Sequence, residues 1–362
     1  MKITVIGAGN GAFASAADLA DRGHKVTMFN RTQSKLDTVR RSGGISLTFN
    51  NETRFVKPIN VSSSPKEAIT DADAIVVAVP TTAHAYVADR IGKCLSDGQL
   101  VLLNPGHTLG GLEFRNRLRR NSIKKKIKLC ETMTLTYITR LRGAGAVQIF
   151  RKSKNIRISA LPSVDNSSIF DTAKEIFPNL VLARNVLETG LDNINAICHP
   201  PGTIMNAGWI EHTRGNFKFY KDGITPGIGK ITEAIDQERQ AIMRSFAIKP
   251  ISFVELFHSV GSTRLRKGSV YSAMKASEAN KTIKAPASLD SRYILEDVGY
   301  GLVPMVELSK IAGVGAPTME SLVNLSSIMN GVNYWKEGRT AKKLGINGMK
   351  KADLLKLVGT GK

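Results

Sequence analysis

The sequence predicts an α/β protein in two parts: a doubly wound parallel sheet, followed by a second, all-helical C-terminal domain. Three observations carry this. Short β-branched apolar runs alternate with helical segments through residue 185, the pattern of a parallel sheet with crossover helices. The first unit, residues 2–29, contains a strand, a glycine-rich turn, a helix and a second strand with no spare residue. From Val186 onward the apolar spacing is helical and the strands stop. The expected domains are residues 1–185 and 186–362, in keeping with ~100–200 residues per domain.

Within the first unit, Gly7 to Ala12 reads G-x-G-x-x-A. The small residues each meet a physical need, since Gly7 permits a tight turn, Gly9 lets backbone approach a pyrophosphate, and Ala12 lets the helix lie on the strand. Asn10 and Gly11 complete the turn at the helix N-terminus, where unpaired N–H groups and the helix dipole favour an anion. The motif alone is weak, but its position between a strand and a helix is that of a Rossmann dinucleotide site. The acidic residue that binds a ribose 2′-hydroxyl is missing at the end of the second strand, where Asn30, Arg31 and Thr32 stand instead. An arginine there pairs with a 2′-phosphate, so NADP is the expected cofactor in preference to NAD.

Further along, residues 45–49 and 53–57 form a hairpin signature around Asn50 and Asn51. Residues 73–79 read as a buried strand ending in Pro80 and Thr81, which are expected to run along the cofactor because strand ends line the ligand crevice of such sheets. His84 could face that crevice, but with no partner nearby in sequence it is expected at the surface. The strand at 99–103 leads into the glycine-bracketed loop 104–111. Residues 146–149 and 156–160 look like two strands paired with each other. In the second domain, Asn195 and His199 lie one turn apart on a helix face, and Pro200 and Pro201 predict a break or kink directly after the histidine. Residues 232–246, 253–260, 293–312 and 317–330 read as helices, and the basic, polar stretch 263–286 as a mobile connection.

Composition excludes some classes. No stretch approaches the ~20 apolar residues of a membrane helix, and the first residues read as a strand, so a cytoplasmic protein is expected. Cys94, Cys130 and Cys198 are odd in number and far apart, which argues against disulfides or a metal site. The net charge of +21 raises nucleic acid and anionic substrates as partners. The densest basic run, residues 115–128, has no interleaved aromatic for base stacking, so it reads as a solvated face and nucleic acid as an unlikely partner.

Taken together, GAGNGAFA at residues 7–14, NPGHTLGG at 104–111, ETMTLTYITR at 131–140, NINAICHPPGTIMNAG at 193–208, SRYILEDVGYGLVP at 291–304 and GRTAKKLGINGM at 338–349 resemble the opine dehydrogenase family, of octopine and nopaline dehydrogenase type. The resemblance spans almost the whole chain. It implies NAD(P)H-dependent reductive condensation of an amino acid's amine with a 2-oxo acid such as pyruvate. It further implies that His199 is the active-site histidine, Asp297 its orienting carboxylate and Arg292 a substrate-binding arginine; Asn195, on the same helix face as His199, is a further substrate-binding candidate from its spacing alone. The residue types suit the chemistry: an imidazole exchanges protons near neutral pH, a carboxylate fixes its tautomer, and a guanidinium fork grips a carboxylate. The expected partners are thus an amino acid and a 2-oxo acid, with a homodimer as the candidate assembly. Two alternatives stay open. One is a relative of ketopantoate reductase or glycerol-3-phosphate dehydrogenase, which share the first domain but typically carry a lysine where Asn195 and His199 stand. The other is a non-enzymatic dinucleotide sensor or nucleic-acid-binding protein drawing on the basic charge.

Overall fold

The computed structural model describes all of residues 1–362. The chain divides into two compact units, one of residues 1–106, 110–186 and 358–361, the other of 107–109, 187–357 and 362.

The first unit holds β1 (Lys2–Ile6), α1 (Asn10–Asp21), β2 (Lys25–Phe29), α2 (Asp37–Ser42), β3 (Ile45–Phe49), β4 (Glu52–Val56), β5 (Ile59–Ser62), α3 (Pro65–Thr70), β6 (Ala74–Val77), α4 (His84–Ile91) and β7 (Leu100–Leu103). It continues with α5 (Gly110–Arg120), β8 (Lys128–Thr132), β9 (Tyr137–Leu141), β10 (Ala146–Lys152), β11 (Ile156–Ala160), α6 (Asn166–Ile176) and β12 (Leu180–Leu182). Eight strands form one sheet in the order β12-β11-β8-β7-β6-β1-β2-β5. Its pairs are parallel except β8 with β11. The central strands β6 and β7, AIVV and LVLL, are buried throughout, as strands covered on both faces must be. The order reverses at β1, between β6 and β2, which is the switch point where such sheets open a ligand crevice.

A smaller sheet, β4-β3-β10-β9, packs on α1. The hairpin turn follows the asparagines, with Asn50 and Asn51 both in the left-handed region as a two-residue hairpin turn requires. The buried Asp18 of α1 anchors this sheet: it accepts from the Tyr137 hydroxyl at 2.8 Å and pairs with Lys152 at 2.5 Å and Arg22 at 3.3 Å. The strands at 146–149 and 156–160 do not pair with each other. β10 lies between β3 and β9, while β11 joins the large sheet between β8 and β12. A bulge between Ile149 and Arg151 and a left-handed Asn155 redirect the chain from one sheet to the other. His84 is also not at the surface but fully buried at the start of α4, because Gly110 offers no side chain: a Cβ there would lie 2.8 Å from the imidazole Nδ1.

The helices that follow are α7 (Val186–Leu191), α8 (Ile194–Ile204), α9 (Ala207–Thr213), α10 (Pro226–Ser245), α11 (Phe253–Ser259), α12 (Val270–Lys275), α13 (Arg292–Leu295), α14 (Val303–Ala312), α15 (Pro317–Asn330), α16 (Tyr334–Glu337), α17 (Ala341–Leu344) and α18 (Lys351–Thr360). None is long and apolar enough to cross a membrane. Two expectations fail here. The helix α8 does not break at Pro200 and Pro201 but runs through both, so His199 sits mid-helix; the prolines forgo only their own donors, and Met205 N–H still reaches the Pro201 carbonyl at 3.1 Å. The stretch 263–286 is built into the unit: Ser269 caps α12, Val270 N–H donates to Glu233 at 2.9 Å, and Ala285 N–H to the Phe217 carbonyl at 2.9 Å. The helix read over 293–312 changes pitch, with a π-turn at Val298–Leu302 between α13 and α14.

Candidate active site

In the second unit the π-turn and α8 pack closely, because Gly301 has no side chain: a Cβ there would lie 2.6 Å from the Ala196 Cβ. This approach brings Asp297, at the head of the π-turn, to His199 across 98 positions of sequence. His199 Nδ1 lies 2.7 Å from Asp297 Oδ2, and both residues are 3% exposed. The carboxylate accepts from Nδ1–H, which leaves Nε2 of the neutral ring as an acceptor. The Tyr220 hydroxyl occupies that acceptor at 2.8 Å. Tyr293 stacks on the imidazole with centroids 3.9 Å apart and planes at 16°, and Phe219 meets its edge at 5.9 Å. The second Asp297 oxygen is buried without a hydrogen-bond partner, so the carboxylate keeps bonding capacity to spare.

Arg292 opens α13 with its guanidinium 5.8 Å from the Tyr293 ring, exposed to solvent and free of any ion pair with Asp297, which is committed to His199. Asn195 is half-buried one turn before His199. His107 belongs to this unit too. It is buried, left-handed at φ 56°, and its Nε2 lies 3.8 Å from a Glu296 carboxylate oxygen while Nδ1 has no partner. Burial holds its pKa down at about 4, with Arg339 and Arg292 reinforcing the effect against the opposing pull of Asp297. Tyr220, Tyr293, Phe219 and His107 lie outside the residues that the sequence singles out. Tyr293 adjoins Arg292 and His107 falls within the glycine-bracketed loop, so both stand in segments with a signal; Tyr220 has no local signal at all.

In the first unit the G-x-G-x-x-A turn leaves open backbone at the start of α1. Gly7 has φ 128°, and a Cβ on it would collide with the Ala78 carbonyl oxygen; a Cβ on Gly9 would meet nothing within 4 Å. Gly9 precedes α1 without any side-chain cap, so the N–H groups of the first turn, through Ala12, are left for an anion. A Cβ on Gly11 would lie 2.8 Å from Leu135, and the Asn10 side chain is turned away to accept from Leu141 N–H at 2.8 Å. After β2, the Asn30 amide donates to the Thr32 carbonyl at 2.8 Å, while Arg31 is exposed and lies 5.3 Å from the Tyr86 ring centroid. Pro80 is exposed and Thr81 fully buried at the end of the β6 strand region.

Comparison with known proteins matches two separate stretches of the chain. The N-terminus of NAD-dependent glycerol-3-phosphate dehydrogenase is matched by residues 2–135, and the alpha-helical domain of NAD/NADP octopine/nopaline dehydrogenase by residues 182–330. An opine dehydrogenase of Arthrobacter sp. is 33% identical over 351 residues, covering 97% of this chain and 96% of the relative. The chain belongs to the opine dehydrogenase family. Vitopine synthase of Allorhizobium ampelinum is a more distant relative, at 24% identity with 96% of each chain covered. The fold is that of octopine dehydrogenase solved with NADH and agmatine, at a TM-score of 0.79 and 19% identity over 100% of this chain and 98% of that one. The NADP⁺-bound yersinopine dehydrogenase has the same fold, with a TM-score of 0.74 and 14% identity over 99% and 98%. This opine dehydrogenase homologue is therefore an NAD(P)-dependent oxidoreductase acting on CH–NH bonds, which joins the amine of an amino acid to a 2-oxo acid by reductive condensation.

Proposed function

We propose that residues 1–185 bind the dinucleotide, with NADPH preferred, and that residues 186–362 bind a 2-oxo acid such as pyruvate together with an amino acid. The observation that carries this reading is the buried His199–Asp297 contact at 2.7 Å, a histidine held in one tautomer by a carboxylate. In this reading Gly7, Gly9, Gly11 and Ala12 receive the pyrophosphate through backbone, Asn10 holds the turn, and Asn30, Arg31 and Thr32 receive the adenosine ribose, Arg31 pairing with its 2′-phosphate. Pro80 and Thr81 flank the cofactor. Arg292 grips the 2-oxo acid carboxylate as a fork, and Asn195 offers its amide to the substrate one turn from His199. His199 removes a proton from the substrate ammonium, freeing the amine to attack the ketone carbon, and returns a proton to the oxygen that leaves as water; Asp297 stabilises the imidazolium between these steps. Bound NAD(P)H supplies the hydride that reduces the carbon–nitrogen double bond. A cytoplasmic location fits the three unpaired thiols, and a homodimer is the assembly to test by sedimentation.

The test is a panel of amino acids crossed with 2-oxo acids, following NADPH and NADH absorbance. Condensation requires both substrates, and kcat/KM is higher with NADPH, by about tenfold or more if a charged hydrogen bond of ~1.5–3 kcal/mol is made. Arg31→Ala narrows that gap, and Arg292→Ala raises the KM of the 2-oxo acid. Equal or better performance with NADH refutes the cofactor preference. Full rates with a 2-oxo acid and no amine would instead favour the hydroxy-acid chemistry of the first-domain relatives.

A further inference from the structure

Both ring nitrogens of His199 are already engaged inside the protein: Nδ1 by Asp297 at 2.7 Å and Nε2 by Tyr220 at 2.8 Å. A substrate proton therefore has no direct path to the imidazole unless Tyr220 moves aside or conducts it. The surroundings hold the tyrosine in place. The backbone before it is tied to a neighbouring strand-like segment, with Phe219 N–H donating to the Ile283 carbonyl at 2.8 Å and Ala285 N–H to the Phe217 carbonyl at 2.9 Å. The turn around it closes through Asp222 N–H to the Lys218 carbonyl at 2.7 Å. Phe219 meets the Tyr220 ring edge-on at 5.2 Å, and the side chain is 6% exposed. A phenol so restrained is built to stay.

We infer that Tyr220 is a catalytic residue, its hydroxyl passing protons between His199 Nε2 and the substrate. The inference rests on the reading of His199 as acid–base. When the substrate ammonium gives up a proton, the Tyr220 oxygen receives it as the phenolic proton passes to Nε2: one N–H bond of the ammonium breaks, one O–H re-forms on Tyr220, and one N–H forms on the ring. When the ketone-derived oxygen leaves, the shift reverses: the phenolic proton goes to that oxygen, Nε2–H returns its proton to the phenol, and water departs. Charge is carried throughout by the imidazolium facing Asp297, and the phenol stays neutral at each stage. Burial agrees with this, because it pushes the Tyr220 ionisation well above the ordinary phenol value. The Cys198 thiol beside it is likewise pushed up by burial and stays protonated, so it does not compete as a base.

The test uses the full-length enzyme with NADPH and an active substrate pair, comparing wild type, Tyr220→Phe, His199→Ala and the double variant in single-turnover kinetics and in H2O/D2O mixtures. Tyr220→Phe removes one oxygen and keeps the ring, so melting temperature and NADPH affinity stay near wild type while the rate falls at least about tenfold, within the range of a lost acid–base group. The double variant is no slower than His199→Ala, since the two residues act as one unit. The wild-type proton inventory is curved, from two protons in flight, and that of Tyr220→Phe is linear. A wild-type rate in Tyr220→Phe, or a linear inventory in the wild type, overturns the relay while leaving an impaired His199→Ala to stand for the histidine reading. A normal rate in His199→Ala removes that reading and the relay with it. Should Tyr220→Phe fail to fold, the wild-type inventory alone decides.

Discussion

His107 combines a left-handed backbone, burial and an unpartnered Nδ1, features that persist only where the surrounding structure holds them. Its titration has a consequence for stability. The unfolded chain protonates this imidazole below about pH 6.5, whereas the folded one does so only below about 4. The unfolded state thus binds more protons between these values, so the contribution is full above pH 6.5, declines as the pH falls, and levels off below about 4. The total is about 3 kcal/mol. Urea midpoints of wild type should therefore drop more between pH 7.5 and 4.5 than those of His107→Gln; equal drops in the two proteins would show that His107 is not the titrating group.

At the scale of elements, α10 is the strut of the second unit, and Arg239 is its centre. Its guanidinium is fully buried, bonding Asp236 one turn earlier at 2.7 and 2.9 Å, Asp192 after α7 at 2.9 Å, and the Ile251 carbonyl at 2.5 Å. Asp236 in turn accepts from Phe253 N–H at the start of α11 at 2.9 Å. One arginine thus ties α10 to the end of α7 and, through the Ile251 carbonyl and Asp236, to the start of α11. Arg239→Ala strands two buried carboxylates and should cost about 3–5 kcal/mol, whereas Arg117→Ala, which breaks a part-exposed pair with Asp89, should cost no more than about 1. Chemical denaturation of both variants checks this ordering, and a cheap Arg239→Ala would mean that the network is not worth what its burial implies.

For the molecule as a whole, the net charge is +21, and the acidic residues do little to cancel it in the run 115–128, where Asp89 takes Arg117 and the Gly361 carbonyl takes Arg115 at 2.6 Å. A dinucleotide and a 2-oxo acid are both anions, so the field of such a protein raises their encounter rate. We expect kcat/KM for NADPH to fall several-fold as ionic strength rises from low to physiological values, with kcat unchanged, while affinity for random duplex DNA at physiological salt stays weaker than about 10⁻⁶ M. A salt-independent kcat/KM would remove steering as a role for the charge, and tight salt-sensitive DNA binding would revive nucleic acid as a partner.

Local order was legible because it depends on neighbours in sequence. The β1-turn-α1 unit, the Asn50–Asn51 hairpin and the buried runs of β6 and β7 follow from periodicity and from residues with special backbone freedom, and the motif order along the chain pointed to the family. The histidine and its carboxylate were legible only through that resemblance, since nothing local links residues 98 positions apart. What tertiary structure decided were the choices in which packing outweighs propensity. It buried His84 against Gly110, carried α8 through two prolines, ordered 263–286 around α12, and sent β10 and β11 to different sheets. It also brought Tyr220 to the second nitrogen of His199. For His84, for 263–286, for β10 and β11 and for Tyr220, a partner distant in sequence supplies the contact that a reading confined to the chain's own neighbours does not contain.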